Sequence, residues 1–336
     1  MSGQNVLIRA VPGTGLSDSV NNFISHLKGD PFGTWFILPT RRLIRTVQDT
    51  LTREKISFVQ DHICTLDEFC SYLVDRYGDK TTRITSDTSR LLLVDLLQRF
   101  QDDFSLFFTQ KSPSPRAVQD LQILIQVIIR REIDYPSCLG HLQSEKSDQI
   151  SRLISLYQQT LQEKNLVDTD TLLLWTIDLL KQDRPEIRYI IRHVHIYGYF
   201  EPMPLEKRLI CMIGAVSETM HYTLPDGRDP EVFSDTGNWL SYDREEIISS
   251  TSMHQEMTRI FCHDPSIAQH QLWFPHLSGM GFTDPATEMR EVAREITRLI
   301  QSGVAYEDIA IATPDFRSTR NYALEACADY GIPLHP

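Results

Sequence analysis

The N-terminal part of the chain contains a loop with the residue types of a phosphate-binding site. The segment Ala10-Val11-Pro12-Gly13-Thr14-Gly15-Leu16-Ser17 follows a short apolar run and precedes an amphipathic stretch. In a working loop of the pattern G-x-x-x-x-G-K-[ST], backbone N–H groups hold phosphates, the lysine neutralises their terminal oxygens and the hydroxyl binds magnesium. Here Gly15 and Ser17 fit, whereas Ala10 replaces the first glycine and Leu16 replaces the lysine.

This loop has two interpretations, which the residues alone leave open. One is a tight turn between a strand and a helix that holds no ligand. The other is a degenerate nucleotide-binding loop, which would bind ATP and magnesium only if it were still functional; otherwise no cofactor is expected. The residues of the degenerate loop are Gly13, Thr14, Gly15 and Ser17.

A second candidate group is the basic turn that follows the next apolar run. Arg41, Arg42 and Arg45 fall within about one helical turn, directly after Pro39-Thr40. Cations in this arrangement can neutralise phosphates of a nucleic acid. The alternative is an ordinary solvated helix surface. The Trp and Tyr residues, Tyr197 among them, have the character of core residues. Tyr199 and Phe200 are the best candidates for base stacking instead, because ligands bind at the carboxyl edge of open α/β sheets.

These candidate groups lie in a pattern of alternating strands and helices. Strands are predicted at 5–9, 34–38 and 62–65, and helices at 18–28, 41–54 and 67–77. Thr65 and Glu68 have the spacing of a capping box, so the third helix should begin there. Alternation of this kind predicts an α/β fold with a mainly parallel sheet covered on both faces.

The strand signal then stops for about a hundred residues and returns later. Helical periodicity continues to about residue 182, strands follow at 193–197 and 218–224, and 225–243 should be a surface loop. A second α/β unit is predicted from strands at 270–274 and 308–312 and helices that start at Asp284-Pro285 and Phe316. Two strands are too few for a whole domain, so we expect a longer polypeptide. The predicted division is 1–66 and 190–265 for one sheet domain, 67–189 for an all-helical insertion, and 266–336 for the start of a second sheet domain.

Composition and cysteine usage exclude several classes of protein. The 336 residues include 33 Lys and Arg against 45 Asp and Glu, a net charge of −12, which argues against a chain coated in nucleic acid but allows a local basic groove. No apolar run approaches the roughly 20 residues of a membrane span, and the first residues lack the pattern of a signal peptide, so we expect a cytoplasmic protein that does not contact a membrane. The six cysteines lack any C-x-x-C pair.

No metal site or catalytic residue is predicted. His193 and His195 point to the same face of a strand, but no further ligand stands at a suitable spacing. The adjacent side chains of Cys262-His263-Asp264 project apart. No E-x-K element occurs in the sequence, which argues against the chemistry of a metal-dependent nuclease within these 336 residues.

Taken together in their order, these motifs resemble a known family. The chain is similar to the N-terminal helicase-like region of the B subunit of AddAB-type helicase-nucleases, within the UvrD/Rep superfamily. Besides the degenerate loop and the helical insertion, the resemblance is carried by residues 36–42, 195–200, 292–296, 308–312 and 330–333.

The resemblance implies RecA-like, P-loop NTPase-type domains that bind DNA, either single strands or duplex ends, together with a helicase partner subunit. It maps one DNA-contacting turn of the family onto Thr40, Arg41, Arg42 and Arg45, and the start of a second onto Thr65. Family motors also carry an Asp-Glu pair after the third core strand, where this chain has Gly198-Tyr199-Phe200-Glu201, and an Arg where it has Thr313-Pro314-Asp315.

With Leu16 at the lysine position, three parts of the ATP machinery are therefore missing. The expected function is a motor-inactive, DNA-binding component of a helicase-nuclease in recombination and repair, and the whole protein is expected to belong to an exonuclease complex. Two alternatives remain: an active ATP-dependent DNA helicase whose loop tolerates Leu16, and a pure protein-interaction scaffold.

Overall fold

The computed structural model describes residues 4–10, 15–78, 81–109, 112–140, 144–225, 237–248 and 278–334. Contacts between residues divide the chain into two compact units, Met1–Ile267 and Ala268–Pro336. The finer division of the first unit into 1–66, 67–189 and 190–265 remains a prediction.

The first unit is built on a parallel sheet. Within the described residues this sheet has six strands in the order β10-β1-β9-β8-β2-β3, and every neighbouring pair is parallel. Two further two-stranded pairings, β4 with β7 and β5 with β6, lie among the helices. The strands are β1 Gln4–Ala10, β2 Thr34–Ile37, β3 Ile63–Cys64, β4 Thr82–Arg83, β5 Phe108–Thr109, β6 Ser112–Pro113, β7 Leu166–Val167, β8 His193–Tyr197, β9 Thr219–Pro225 and β10 Arg244–Ile248.

Helices connect these strands and cover the sheet. Short 3-10 turns occur at Gln60–His62, Gln101–Asp103, Ser105–Phe107 and Tyr306–Asp308. The α-helices are α1 Leu16–Gly29, α2 Arg41–Arg53, α3 Leu66–Tyr77, α4 Ser86–Arg99, α5 Pro115–Arg130, α6 Tyr135–Gly140, α7 Glu145–Glu163, α8 Thr169–Lys181, α9 Pro185–Ile190, α10 Pro204–Val216, α11 Pro285–Gln301 and α12 Phe316–Asp329.

The buried strands explain why the sheet is parallel and covered on both faces. All four residues of β2 are buried, and the inner residues of β1 and β8 are buried as well. Such continuous apolar runs suit a sheet with helices on both sides. The predicted α/β class and parallel sheet are therefore confirmed, including strand His193–Tyr197 at the predicted bounds.

A helical region lies between β3 and β8, as the periodicity predicts. Its helices α4, α5, α7 and α8 pack in the same hydrophobic cluster as the sheet. Buried residues of this cluster include Leu121, Ile125, Leu153 and Ile177. One ion-pair network joins this region to α10. The Nε of Arg130 lies 2.6 Å from Asp170 Oδ1, and its Nη1 lies 3.3 Å from Glu206 Oε1.

The edge strand β10 has no counterpart among the predicted elements. It pairs with β1 in the register Val6↔Arg244 to Ala10↔Ile248. Its sequence, Arg244-Glu245-Glu246-Ile247-Ile248, has no alternation of apolar and polar residues, because it lies at the edge of the sheet, where side chains are largely exposed. The predicted loop at 225–243 ends just before this strand, and 226–236 lie outside the described residues.

The described part of the second unit consists mainly of two helices. Helix α11 begins after Asp284, whose Oδ1 accepts from Thr287 N at 2.9 Å, and packs against α12 through Met289 and Ala323. The strand predicted at 308–312 does not form: Asp308 ends a 3-10 turn, and Ile309 has extended dihedral angles but no described strand pairs with it. The strand predicted at 270–274 lies outside the described residues. In the parts of the chain that the structure describes, no helix is long and apolar enough to cross a bilayer.

Candidate functional site

Two helices begin side by side at the carboxyl edge of the sheet. Strands β2 and β3 are parallel neighbours in the register Phe36↔Ile63. A threonine stands between each strand and the helix that follows it: Thr40 between β2 and α2, and Thr65 between β3 and α3. The structure therefore brings together two turns that the sequence analysis assigned to DNA contact, although they are more than twenty residues apart.

Both threonines act as helix N-caps. The Oγ1 of Thr40 accepts from Leu43 N at 3.3 Å, and the Oγ1 of Thr65 accepts from Glu68 N at 3.3 Å. The predicted capping box is confirmed, because Glu68 Oε2 in turn accepts from Thr65 N at 2.9 Å. A hydroxyl that accepts through its oxygen still has its O–H to donate, for example to a phosphate oxygen.

The three predicted arginines lie in the first turns of α2. Arg41, Arg42 and Arg45 are all exposed. The guanidinium of Arg41 forms an ion pair with Glu68 Oε1, across from α2 to α3. Since the N-terminus of a helix carries a partial positive charge, this end of α2 combines a favourable dipole with three guanidinium groups.

The turn after β8 packs against both of these turns. The hydroxyl of Tyr199 accepts from Leu66 N at 3.0 Å and lies 3.4 Å from the carbonyl of Leu38, to which it donates. Gly198 has φ +90, and a Cβ there would lie 2.9 Å from Pro39 Cδ. A side chain at residue 198 would therefore be strained and would clash, which explains the glycine.

Only one of the two aromatic residues proposed for base stacking is open to solvent. Tyr199 is partly buried against the main core, and burial raises the pKa of its hydroxyl. Phe200 is 43% exposed, and its ring meets that of Tyr197 edge-to-face at a centroid distance of 5.9 Å. Phe200 can therefore stack on a base, whereas Tyr199 fixes the turn.

The degenerate loop joins β1 to α1. Gly15 is the N-cap of α1 with φ +83, and a Cβ there would lie 2.5 Å from Ala10 Cβ. This close approach to the sheet requires glycine. Ser17 is exposed in the first turn of α1, and Gly13 and Thr14 lie outside the described residues.

Apolar groups surround the point where Gly15 meets the sheet. Leu16 and Tyr197 both pack against the hydrophobic cluster between α1, α2 and the sheet. A ring carbon of Tyr197 lies 3.9 Å from the position of a Cβ on Gly15. Behind them, the hydroxyls of Ser19 and Thr223 form a buried hydrogen bond of 2.8 Å. At the position where a working loop has its lysine, this chain thus has a partly buried leucine that packs against this cluster.

Four histidines meet near the opposite, amino ends of the strands. His193 and His195 lie on one face of β8 as predicted, and they are joined by His26 of α1 and His221 of β9. His26 Nδ1 lies 3.0 Å from His195 Nε2, and the rings of His26 and His193 stack at 4.5 Å. Within the described ranges, no three His, Cys, Asp or Glu side chains are arranged to hold a metal ion. The segment Cys262-His263-Asp264 lies outside those ranges.

Two residues have roles in the site that sequence reasoning does not identify. The spacing of Glu68 predicts only a capping residue, yet this side chain also pairs with Arg41. Tyr197 has the character of a core residue, yet it lies beside the glycine of the degenerate loop. The signal that could have identified them is topological. Glu68 follows β3 and Tyr197 ends β8, the two strands on either side of β2, and ligand-binding side chains gather at the carboxyl ends of such strands.

Comparison with known proteins agrees with this geometry. Residues 34–214, more than half of the chain, match the UvrD/REP helicase N-terminal domain. No curated protein matches the chain. The match covers β2, β3, the helical region, β8 and α10, including the turns that contain Thr40, Thr65 and Gly198. The parallel sheet described above is accordingly a RecA-like helicase fold, and the chain belongs to the UvrD/REP helicase family.

Proposed function

We propose that this protein is a DNA-binding, motor-inactive helicase-like component of a helicase-nuclease that acts in recombination and repair. The observation that carries the proposal is the juxtaposition of Thr40, Arg41, Arg42 and Arg45 with Thr65 at one edge of the sheet. Cations and hydroxyl donors at a helix N-terminus bind phosphates without reading the bases. The site therefore suits sequence-independent contact with the backbone of single-stranded DNA.

The inactive motor is inferred from the residues around the degenerate loop. Hydrolysis of ATP needs a lysine at the phosphates, carboxylates for magnesium and water, and an arginine for the transition-state charge. This chain has Leu16 at the lysine position, Gly198-Tyr199-Phe200-Glu201 after β8, and Thr313-Pro314-Asp315 in place of the arginine. The degenerate loop with Gly13, Thr14, Gly15 and Ser17 then holds no nucleotide, and Gly15 caps α1 against the sheet.

The place of the protein in a larger assembly is also part of the proposal. The order of motifs from the degenerate loop to residues 330–333 is similar to that of the B subunit of AddAB-type helicase-nucleases. We infer a partner helicase subunit that supplies the motor, and a substrate that includes single-stranded DNA or a duplex end. In this arrangement 1–66 and 190–265 form the first RecA-like domain, 67–189 its helical insertion, and 266–336 the start of a second RecA-like domain.

DNA binding is tested by fluorescence anisotropy with a labelled oligo-dT single strand. We expect the affinity to fall steeply with salt, because bound counterions are released. The variant Arg41→Ala/Arg42→Ala/Arg45→Ala should bind more weakly. Its log–log salt slope should be flatter by up to about 2, since each phosphate contact on a single strand contributes about 0.7.

The matched control changes three exposed arginines outside α2, Arg116→Ala/Arg131→Ala/Arg290→Ala, and so removes the same charge. It should retain most of the affinity and the salt slope. If both triple variants bind equally well, the site is not at α2. If the wild-type chain does not bind DNA at all, the pure interaction scaffold becomes the better description.

The motor is tested separately with a fluorescent ATP analogue and magnesium. We expect no binding at micromolar nucleotide and no DNA-stimulated release of phosphate. The variant Leu16→Lys should not restore hydrolysis, because the acidic pair after β8 is still missing. Micromolar binding with DNA-stimulated phosphate release by the wild-type chain would instead support an active helicase.

A further inference from the structure

The carboxylate of Glu68 is shared between the two turns of the proposed DNA site. Its Oε1 pairs with the guanidinium of Arg41, and its Oε2 accepts from Thr65 N at 2.9 Å. The backbone N–H of Glu68 donates to Thr65 Oγ1 at 3.3 Å. The capping box therefore holds this side chain in place at the start of α3, independently of its pairing with Arg41.

The partners of Glu68 are of the kind that bind phosphate. A guanidinium and a backbone N–H at a helix N-terminus are the donors that proteins use for phosphate oxygens. The Arg41 side chain is 74% exposed and that of Glu68 is 31% exposed. The guanidinium can thus exchange one anionic partner for another from solvent, without unfolding of either helix.

We propose that Glu68 is an internal competitor for phosphate at Arg41. In the free protein the carboxylate pairs with Arg41, and when DNA binds, Arg41 exchanges this carboxylate for a phosphate oxygen. The inference rests on the proposed function, because it assigns a regulating residue to that same DNA site. Its effect is to lower the affinity of the site for DNA, because the carboxylate must be displaced before Arg41 contacts a phosphate.

The two other arginines of the site differ from Arg41. Across the described ranges of the chain, neither Arg42 nor Arg45 forms an ion pair with an acidic side chain. They are thus available for the first contact with the DNA backbone. Arg41 contributes once a phosphate lies close enough to Glu68 to compete with it.

The variant Glu68→Gln tests the proposal. Glutamine keeps a side-chain oxygen for Thr65 N, and it occurs naturally in capping boxes, so α3 should remain capped. With labelled oligo-dT at low salt, we expect the variant to bind about two- to fivefold more tightly than the wild type, the range that an exposed ion pair supports. In an Arg41→Ala background the same change should give little gain, and a double-mutant cycle measures this coupling.

Two controls separate this coupling from a general charge effect. Asp49→Asn removes one negative charge from an exposed position of the same helix α2, and we expect a smaller gain in affinity. Arg42→Ala should weaken binding by the same factor in the wild type and in the Glu68→Gln background, since Arg42 does not pair with Glu68. Thermal unfolding of each variant verifies that the cap and the fold are retained.

The outcomes distinguish the two proposals. If the chain binds DNA through Arg42 and Arg45 but Glu68→Gln gives no gain, the competitor role of Glu68 is wrong and the proposed function stands. The competitor role is also wrong if Asp49→Asn gives an equal gain in DNA affinity. It is wrong as well if the gain from Glu68→Gln persists in the Arg41→Ala background. If no variant binds DNA in a salt-dependent manner, both the proposed function and this inference are overturned.

Discussion

The side-chain hydroxyl of Tyr199 accepts a hydrogen bond from the backbone N–H of Leu66 at 3.0 Å. Leu66 is the first residue of α3, so the turn after β8 satisfies a donor at the helix terminus that has no partner within the helix. The same hydroxyl donates to the carbonyl of Leu38. Three strand ends, those of β2, β3 and β8, are thereby fixed relative to one another at the proposed DNA site.

The variant Tyr199→Phe should therefore be less stable than the wild type. It keeps the ring but leaves Leu66 N and the Leu38 carbonyl without this partner, which we expect to cost about 1–2 kcal/mol of unfolding free energy. Urea unfolding measures the change. The matched control is Tyr189→Phe, because Tyr189 is largely exposed and should lose its hydroxyl without effect. An unchanged midpoint for Tyr199→Phe would contradict the role assigned to this hydroxyl.

Gly15 should tolerate no side chain. Alanine would have to adopt φ +83 and would place its Cβ 2.5 Å from Ala10 Cβ, so we expect Gly15→Ala to lose about 2 kcal/mol or more. The control is Gly29→Ala at the other end of α1, where a Cβ meets nothing within 4 Å. That change should be neutral or slightly stabilising. Equal midpoints for the two variants in urea would show that the turn is not constrained as described.

The histidine cluster should make the protein sensitive to acid. Burial lowers the pKa of His26, His193 and His195, and it lowers the pKa of His221 to about 4. Unfolded histidines titrate near 6.5, so below that pH the unfolded chain binds more protons than the folded chain. The stability that the neutral histidines contribute is therefore fully present above about pH 6.5 and falls as the pH decreases towards 4.

The variant His221→Gln measures the contribution of one histidine to this pH dependence of stability. Because the variant lacks one titrating group, its unfolding free energy should fall less steeply than that of the wild type between pH 6.5 and 4. The two slopes should differ by up to about 1.4 kcal/mol per pH unit. Urea unfolding at several pH values gives both slopes, and pH 8 serves as the internal reference at which the histidines are neutral. Parallel slopes for the variant and the wild type would argue against a buried, neutral His221.

Arg130 should be required to hold helices α5, α8 and α10 together. Asp170 is only 3% exposed, and burial raises its pKa, so the carboxylate depends on Arg130 as its counterion. We expect Arg130→Met to lose about 3–5 kcal/mol, because it leaves a buried charge unpaired. Adding Asp170→Asn should recover part of the loss.

The control for this prediction is Arg152→Ala. Arg152 also pairs with an aspartate, Asp103, but its side chain is well exposed. Its removal should cost less than about 1 kcal/mol. Similar losses for Arg130→Met and Arg152→Ala, measured by urea unfolding, would mean that the buried network is not essential.

Local sequence signals predicted the parts of this fold that depend on neighbouring residues. Thr65 and Glu68 form the capping box that their spacing indicated, and Asp284 caps α11 as expected. Strand β8 was predictable because Val194, Ile196 and Tyr197 give its short run the β-branched and aromatic character of a strand. By contrast, β10 is exposed at a sheet edge, so burial imposed no pattern on its sequence.

Relationships between distant residues could not be predicted in this way. The side-by-side positions of His193 and His195 follow from strand geometry, but His26 and His221 join them only through the folding of the whole sheet. The pairing of Arg41 with Glu68 likewise depends on β2 and β3 being neighbours. For the candidate site, the sequence indicated which residue types meet phosphates, whereas the competing carboxylate emerged only from the structure.

The position of β1 in the sheet has a consequence for folding during synthesis. Although β1 precedes every other strand of the described sheet along the chain, its two neighbours, β9 and β10, are Thr219–Pro225 and Arg244–Ile248. At roughly 5–20 residues per second, the ribosome needs on the order of 10–50 s between the first strand and its last neighbour. During that interval the helices between β3 and β8 can already pack locally, while β1 cannot yet pair with its neighbours in the sheet.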